Sequence, residues 1–90
     1  MHAERTVEIV NQLGLHARAA ALLASRASGF EADIKLTRED AETNAKSIMG
    51  LMTLAAGQGS ILTLVADGQD AETAVESLGQ LIANRFDEDA

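Results

Sequence analysis

The sequence predicts an α+β fold: a two-layer, open-faced β-sandwich in the order βαββαβα, with a four-stranded antiparallel sheet and three helices on one face. Three observations lead there. Short segments alternate apolar and polar residues, as strands do when only one of their faces is buried. The last third of the chain instead repeats its apolar residues at the 3.6-residue period of a helix. And 90 residues make one domain, 1–90, whose modest core two layers suffice to enclose.

Thr6-Val7-Glu8-Ile9-Val10 alternates and reads as the first strand, with Val7 and Ile9 inward. Asn11 to Gly14 connects it to a helix from Ala17 to Ser28, rich in the strong helix formers Ala and Leu, with Gly29 suited to the C′ position. Ala32, Ile34 and Leu36 alternate with Asp33, Lys35 and Thr37 in a second strand. Arg38 to Asp40 forms a turn, and a short third strand covers Ala41 to Asn44. Ser47 N-caps a short helix that reaches Ala55 and is ended by Gly57-Gln58-Gly59. Ile61-Leu62-Thr63-Leu64-Val65 is the most apolar strand and is therefore placed at the centre of the sheet. Asp67-Gly68 signals a turn, and Asp70 is placed to cap a final helix. In that helix Ala71, Ala74, Val75, Leu78, Leu81, Ile82 and Phe86 recur at helical spacing and form its core-facing stripe.

Composition removes several classes of function. Phe30 and Phe86 are the only aromatic residues, and Trp, Tyr, Cys and Pro are absent. The core is thus aliphatic, and neither a disulfide nor thiolate chemistry is available. His2 and His16 are the only histidines, so no metal-ligand set is apparent; the expectation is no metal and no cofactor. A formal net charge of −7 with only seven Lys and Arg argues against nucleic acid, which needs a cationic patch. No stretch approaches the ~20 apolar residues that span a bilayer, and Met1 to Arg5 lacks an apolar signal region. The expectation is a cytoplasmic protein without a membrane partner. Asp87-Glu88-Asp89 and the cluster of Glu39, Asp40 and Glu42 read as solvated surface, and His2 as a disordered terminal residue.

The chemically informative segment is Asn11-Gln12-Leu13-Gly14-Leu15-His16-Ala17-Arg18-Ala19-Ala20. A glycine-containing loop leads into an Ala-rich helix with His16 at the N-cap and Arg18 near the second helical position. The free N–H groups of a first turn, with the helix dipole, form an anion site. A cation at that end is mildly unfavourable, and a bound anion would remove the conflict. Neutral histidine is a competent nucleophile. The plainer alternative is that His16 is only a polar helix start and Arg18 extends into solvent.

Gly14-Leu15-His16-Ala17-Arg18 resembles the active-site motif of the HPr family, the histidine-containing phosphocarriers of the bacterial phosphoenolpyruvate-dependent phosphotransferase system. Lys46-Ser47-Ile48-Met49-Gly50-Leu51-Met52 resembles that family's regulatory serine and docking helix, at the family's separation. The likeness covers essentially the whole chain. It implies a carrier, not an enzyme. His16 would take the phosphoryl group on Nδ1, Arg18 would contact it, and the backbone amides of Ala17 and Arg18 would cradle it. Enzyme I would be the donor, an EIIA-type protein the acceptor, and a dedicated serine kinase/phosphorylase would act on Ser47. The family usually has Pro where this chain has Ala19, which bears on the kinetics of transfer and the lifetime of phosphohistidine.

Ile48, Met49, Leu51, Met52 and Leu54 project over about 220° of the short helix, wider than the ~100° stripe that a core-facing helix needs. The resemblance puts Ile48, Met49 and Met52 at an exposed docking edge; the alternative is that all five lie in the core. The segment Asn11 to Arg18 and the Phe86-Asp87-Glu88-Asp89 ending are similar to the nitrogen-related branch of the family, whereas Ser47 with its flanks is similar to forms that answer to the serine kinase. A monomer suits a carrier that docks transiently. Two rivals stand beside it: an interaction module independent of phosphotransfer, and a small-ligand regulatory domain on a similar sandwich.

Overall fold

The computed structural model describes residues 1–90. Four strands, β1 (His2–Glu8), β2 (Asp33–Arg38), β3 (Ala41–Asn44) and β4 (Ile61–Asp67), form one sheet in the order β1-β4-β2-β3. All three pairings are antiparallel. Three helices, α1 (Ala17–Ala27), α2 (Ile48–Thr53) and α3 (Ala71–Ala83), complete the open-faced α+β sandwich. The most apolar strand, β4, is central, and its inward row of Leu62, Leu64 and Ala66 is buried. Val7 stands opposite Leu62, and Leu36 opposite Leu64, so the three long strands present one continuous aliphatic face. Lys35, Thr37, Thr63 and Val65 occupy the other face, which no helix covers, and each is exposed or half-buried.

Small contact residues let α3 seat closely on that face and let α1 pack closely against α2 and α3. Ala19, Ala20, Leu23, Ala24 and Ala27 form the buried stripe of α1. In α3, Ala71, Ala74, Val75, Leu78, Leu81 and Ile82 are buried as the helical spacing predicts. Gly79 is buried with them, and a Cβ there would meet the Arg5 guanidinium at 2.7 Å. The missing side chain leaves room for Arg5, an inward position of β1, to lie over the helix.

Several boundaries differ from the sequence-based expectations. β1 starts at His2 and ends at Glu8, because β1 and β4 pair along their whole length. His2 is consequently an ordered strand residue rather than a disordered end. Its ring is bonded to Asp67 at 2.6 Å and to Glu4 at 2.7 Å, and these partners, Glu4 first, raise its pKa. Gly29 follows the C-cap Ser28 but is not left-handed. α2 stops at Thr53: Ala55 turns left-handed, with φ 51°, and the Leu54 and Ala55 carbonyls are taken by Arg38, whose Nη1 donates to Leu54 O at 3.1 Å and to Ala55 O at 3.4 Å. Asp70 occupies the N-cap position of α3, yet its side chain makes no cap bond. It accepts instead from the Glu31 and Ala32 amides, both at 2.9 Å, tying the α1–β2 loop to the start of α3.

The largest difference lies at the end of α3. The helix closes at Ala83, and Arg85, Phe86 and Asp87 all take positive φ values of 58°, 53° and 63°. Left-handed non-glycine residues are costly. Burial of the Phe86 ring, 1% exposed, offsets that cost. Phe86 is therefore a core residue, as its spacing suggests, but it gets there through a left-handed turn that reverses the chain.

Truncating the central row should show what this one-sided core is worth. Leu64→Ala is expected to lower stability by about 3 kcal/mol, whereas Ile61→Ala, at a position 56% exposed on the same strand, should cost less than about 1 kcal/mol. Urea unfolding of the two variants checks the contrast.

Candidate functional site

The loop between β1 and α1 is held from both sides. Asn11 is fully buried; its carbonyl accepts from the Gly14 amide at 3.2 Å, and its Nδ2 donates to Gly14 O at 2.8 Å. Gly14 is left-handed, with φ +68°. A Cβ there would lie 2.6 Å from the Ala56 carbonyl oxygen and 2.8 Å from the Gly57 Cα. Only glycine satisfies both the dihedral and that backbone approach. The next amide, Leu15 N–H, donates to Ala56 O at 2.8 Å, and the Leu15 side chain is buried. Two loops remote in sequence thereby fix the residue that follows.

That residue is His16, the N-cap of α1, in extended conformation and with no side-chain cap bond. Its carbonyl accepts the first helical bond, from Ala20 at 2.8 Å. The Ala17, Arg18 and Ala19 amides precede that bond and open the helix without an acidic residue in the first turn. Ala17 and Arg18 are exposed, whereas Ala19 is fully buried in the core. His16 and Arg18 thus sit where the sequence suggests, at the positive end of an eleven-residue helix.

A third group completes the cluster, and it corrects the reading of the chain end as solvated surface. The His16 Nε2 is hydrogen-bonded to Glu88 Oε2 at 2.5 Å. The other carboxylate oxygen, Oε1, accepts from Asn11 Nδ2 at 3.0 Å. The Glu88 side chain is 14% exposed and the His16 ring 28%. The His16 bond, then the Asn11 bond and, more weakly, the charge of Arg18 hold the Glu88 carboxyl below the usual glutamate range, against the opposing effect of burial. The left-handed turn at 85–87 delivers Glu88 to this position. Asp87 and Asp89 remain exposed. Sequence reasoning missed Glu88 and Asn11. A 72-residue separation leaves no local pattern; the available signal was a phenylalanine of the core stripe placed two residues before the carboxylate.

The short helix α2 divides its apolar arc. Leu51 and Leu54 are buried, while Ile48, Met49 and Met52 are 45%, 75% and 42% exposed. Leu13, in the loop that leads to His16, is 70% exposed. Ser47 is the N-cap of α2, its Oγ accepting from the Gly50 amide at 3.0 Å. A cap of this kind contributes about 1 kcal/mol.

The family model described as "PTS HPr component phosphorylation site" matches residues 3–84. The chain is 51% identical to the phosphocarrier protein HPr of Cupriavidus necator, over 94% of this chain and 96% of that protein. It is 45% identical to the phosphocarrier protein NPr of Shewanella violacea, over 94% and 93%. A crystal structure of HPr from Thermoanaerobacter tengcongensis superposes with a TM-score of 0.94 at 44% identity, covering 98% of this chain and 99% of that one.

Two measurements follow from the geometry. Gly14→Ala combines a left-handed alanine with a backbone clash and is expected to cost about 2 kcal/mol or more, with the His16 amide and ring resonances displaced. Glu88→Gln tests the tail contact through pH. A carboxylate whose folded pKa is depressed adds stability that is full above its unfolded value and is lost as pH falls through the folded one. The excess stability of wild type over Glu88→Gln should therefore be complete above the ordinary value of 4.5 and vanish below Glu88's lowered one. Denaturant titrations across acid pH check it.

Proposed function

The chain belongs to the HPr family of phosphocarrier proteins of the phosphotransferase system, and on that premise we propose that His16 is its phosphoryl-carrying residue. The observation that carries the reading is the placement of a partly exposed histidine at the N-cap of α1, its ring bonded at Nε2 and the first-turn amides opening beside it. Enzyme I, charged by phosphoenolpyruvate, is the proposed donor. An EIIA-type protein is the proposed acceptor. The carrier is proposed to shuttle between them as a cytoplasmic monomer.

The chemistry is an in-line transfer. The Nδ1 lone pair attacks phosphorus, a P–N bond forms, and the bond to the donor breaks. The three phosphoryl oxygens are met by the Ala17 and Arg18 amides and by the Arg18 guanidinium. These are fixed or short-range donors aimed where charge is greatest, and they leave the phosphorus open to the next attack. Exposure suits the task, since a group that must be passed on cannot be enclosed.

Docking is assigned to Ile48, Met49 and Met52. Exposed apolar residues of this kind mark contact surfaces, and Met adapts to partners of different shape. Ser47 is proposed as a regulatory phosphorylation site of a serine kinase: roughly −2 of added charge beside that surface would repel an acidic partner.

The test is intact mass after incubation with enzyme I and phosphoenolpyruvate. Wild type is expected to gain one acid-labile phosphoryl group and His16→Ala none. No gain by a folded wild type, with an enzyme I active on another carrier, would overturn the assignment and favour a protein-interaction module that works without phosphotransfer.

A further inference from the structure

We infer that Glu88 is a positioning residue for phosphoryl transfer: its carboxylate fixes the proton of His16 on Nε2 and pairs the positive charge that the ring acquires when Nδ1 takes the phosphoryl group. The inference rests on His16 being the carrier, and it adds to that reading a residue from the far end of the chain.

The argument begins with what each atom can do. An ionised carboxylate only accepts hydrogen bonds. Glu88 Oε2 lies 2.5 Å from Nε2, so Nε2 is the nitrogen that donates. In the neutral ring the other nitrogen, Nδ1, then carries the lone pair. The orientation of the carboxylate is fixed in turn, because Oε1 is held by Nδ2 of the buried Asn11, itself bound to the Gly14 carbonyl. Glu88 is thus bonded to the ring and to the loop that precedes the ring.

The consequence for the reaction follows from charge. A neutral imidazole protonated at Nε2 becomes a phosphoimidazolium when Nδ1 forms the P–N bond. The Nε2 proton stays in place, the ring gains one positive charge, and the donor keeps the electron pair of the bond it loses. A carboxylate already in contact stabilises that charge without reorganisation. When the phosphoryl group leaves for an acceptor, the ring departs as a neutral imidazole and not as an imidazolate. The charged groups acting on Glu88 are His16 and, on the first turn of α1, Arg18. Arg18 is exposed and has no bond to the carboxylate, so Glu88 is committed to the ring while Arg18 is left for the phosphoryl oxygens.

The tail geometry has this contact as its outcome. Three successive left-handed residues reverse the chain after α3, and the buried Phe86 ring anchors the reversal two residues before Glu88.

The experiment compares wild type with Glu88→Gln, which keeps the shape and loses the charge. Nitrogen-15 spectra of the unphosphorylated ring report which nitrogen is protonated. Wild type is expected to be held as the Nε2–H form, and the variant, whose amide can either donate or accept, to become a mixture. Phosphoryl acceptance is followed by intact mass, with enzyme I and separately with phosphoramidate as a small-molecule donor. It should slow roughly tenfold in the variant, the scale of a hydrogen bond to a charged group. The pH profile of phosphoryl loss should move to lower pH in the variant, because its phosphorylated ring gives up the Nε2 proton more readily. Identical ring spectra, acceptance rates and profiles in the two proteins would overturn the inference. A wild type that accepts phosphate from neither donor would overturn the carrier reading instead, while the ring spectra would still decide whether Glu88 sets the proton.

Discussion

Everything at the helical end of this protein depends on burying one face of one sheet. The aliphatic row of β4, extended by Val7 on β1 and by Ile34 and Leu36 on β2, must be covered. With two phenylalanines as the only aromatics, the cover comes from close approach rather than from bulk. Alanine-rich α1 packs closely against α2 and α3 because its contact residues are small, and dispersion rewards that nearness. Once α1 is seated, its N-terminus is fixed in direction. The histidine that caps it, the amides of its first turn and the arginine beside them inherit that direction. Site geometry in this fold is thus a consequence of core packing, with the β1–α1 loop supplying the fine adjustment through Gly14 and Leu15.

What the sequence reveals and what it hides divide along chain separation. The strands announce themselves by alternation, as in Ile34 and Leu36, and α3 by its 3.6-residue stripe. The N-cap Ser47 is legible because a cap acts over three residues, and His16 because it stands just ahead of an Ala-rich helical run. The role of Asp70 is not. A carboxylate just ahead of a helix suggests a cap, but its bonds run to amides 38 and 39 residues earlier. The strand identity of His2 is hidden for the same reason, since it comes from pairing with β4 across the sheet. Glu88 is the extreme case. Charge runs are normally solvated, and only a three-dimensional reversal after α3 brings this one against His16.

The site therefore has two kinds of component. Gly14, Leu15, His16, Ala17 and Arg18 are contiguous, and one of the two motifs that resemble the HPr family consists of them. Asn11 and Glu88 act from outside that motif, one from beneath and one from the end of the chain. Ala19 belongs to both descriptions. It sits in the first turn, where it adds an N–H that proline would lack, and its methyl group is sealed in the core.

The strand order bears on how the molecule behaves in a crowded solution. A sheet ends in two rows of unpaired backbone groups, and such rows invite other chains to add on as further strands. Here the most apolar strand is enclosed between neighbours, and the ends fall to β1 and β3. β3 is only four residues long and carries Glu42; β1 carries Glu4, Arg5 and Glu8. Short length and charge at both margins discourage intermolecular growth of the sheet, so the segment best suited to fibril formation, Ile61 to Val65, is kept from other chains for as long as the fold persists.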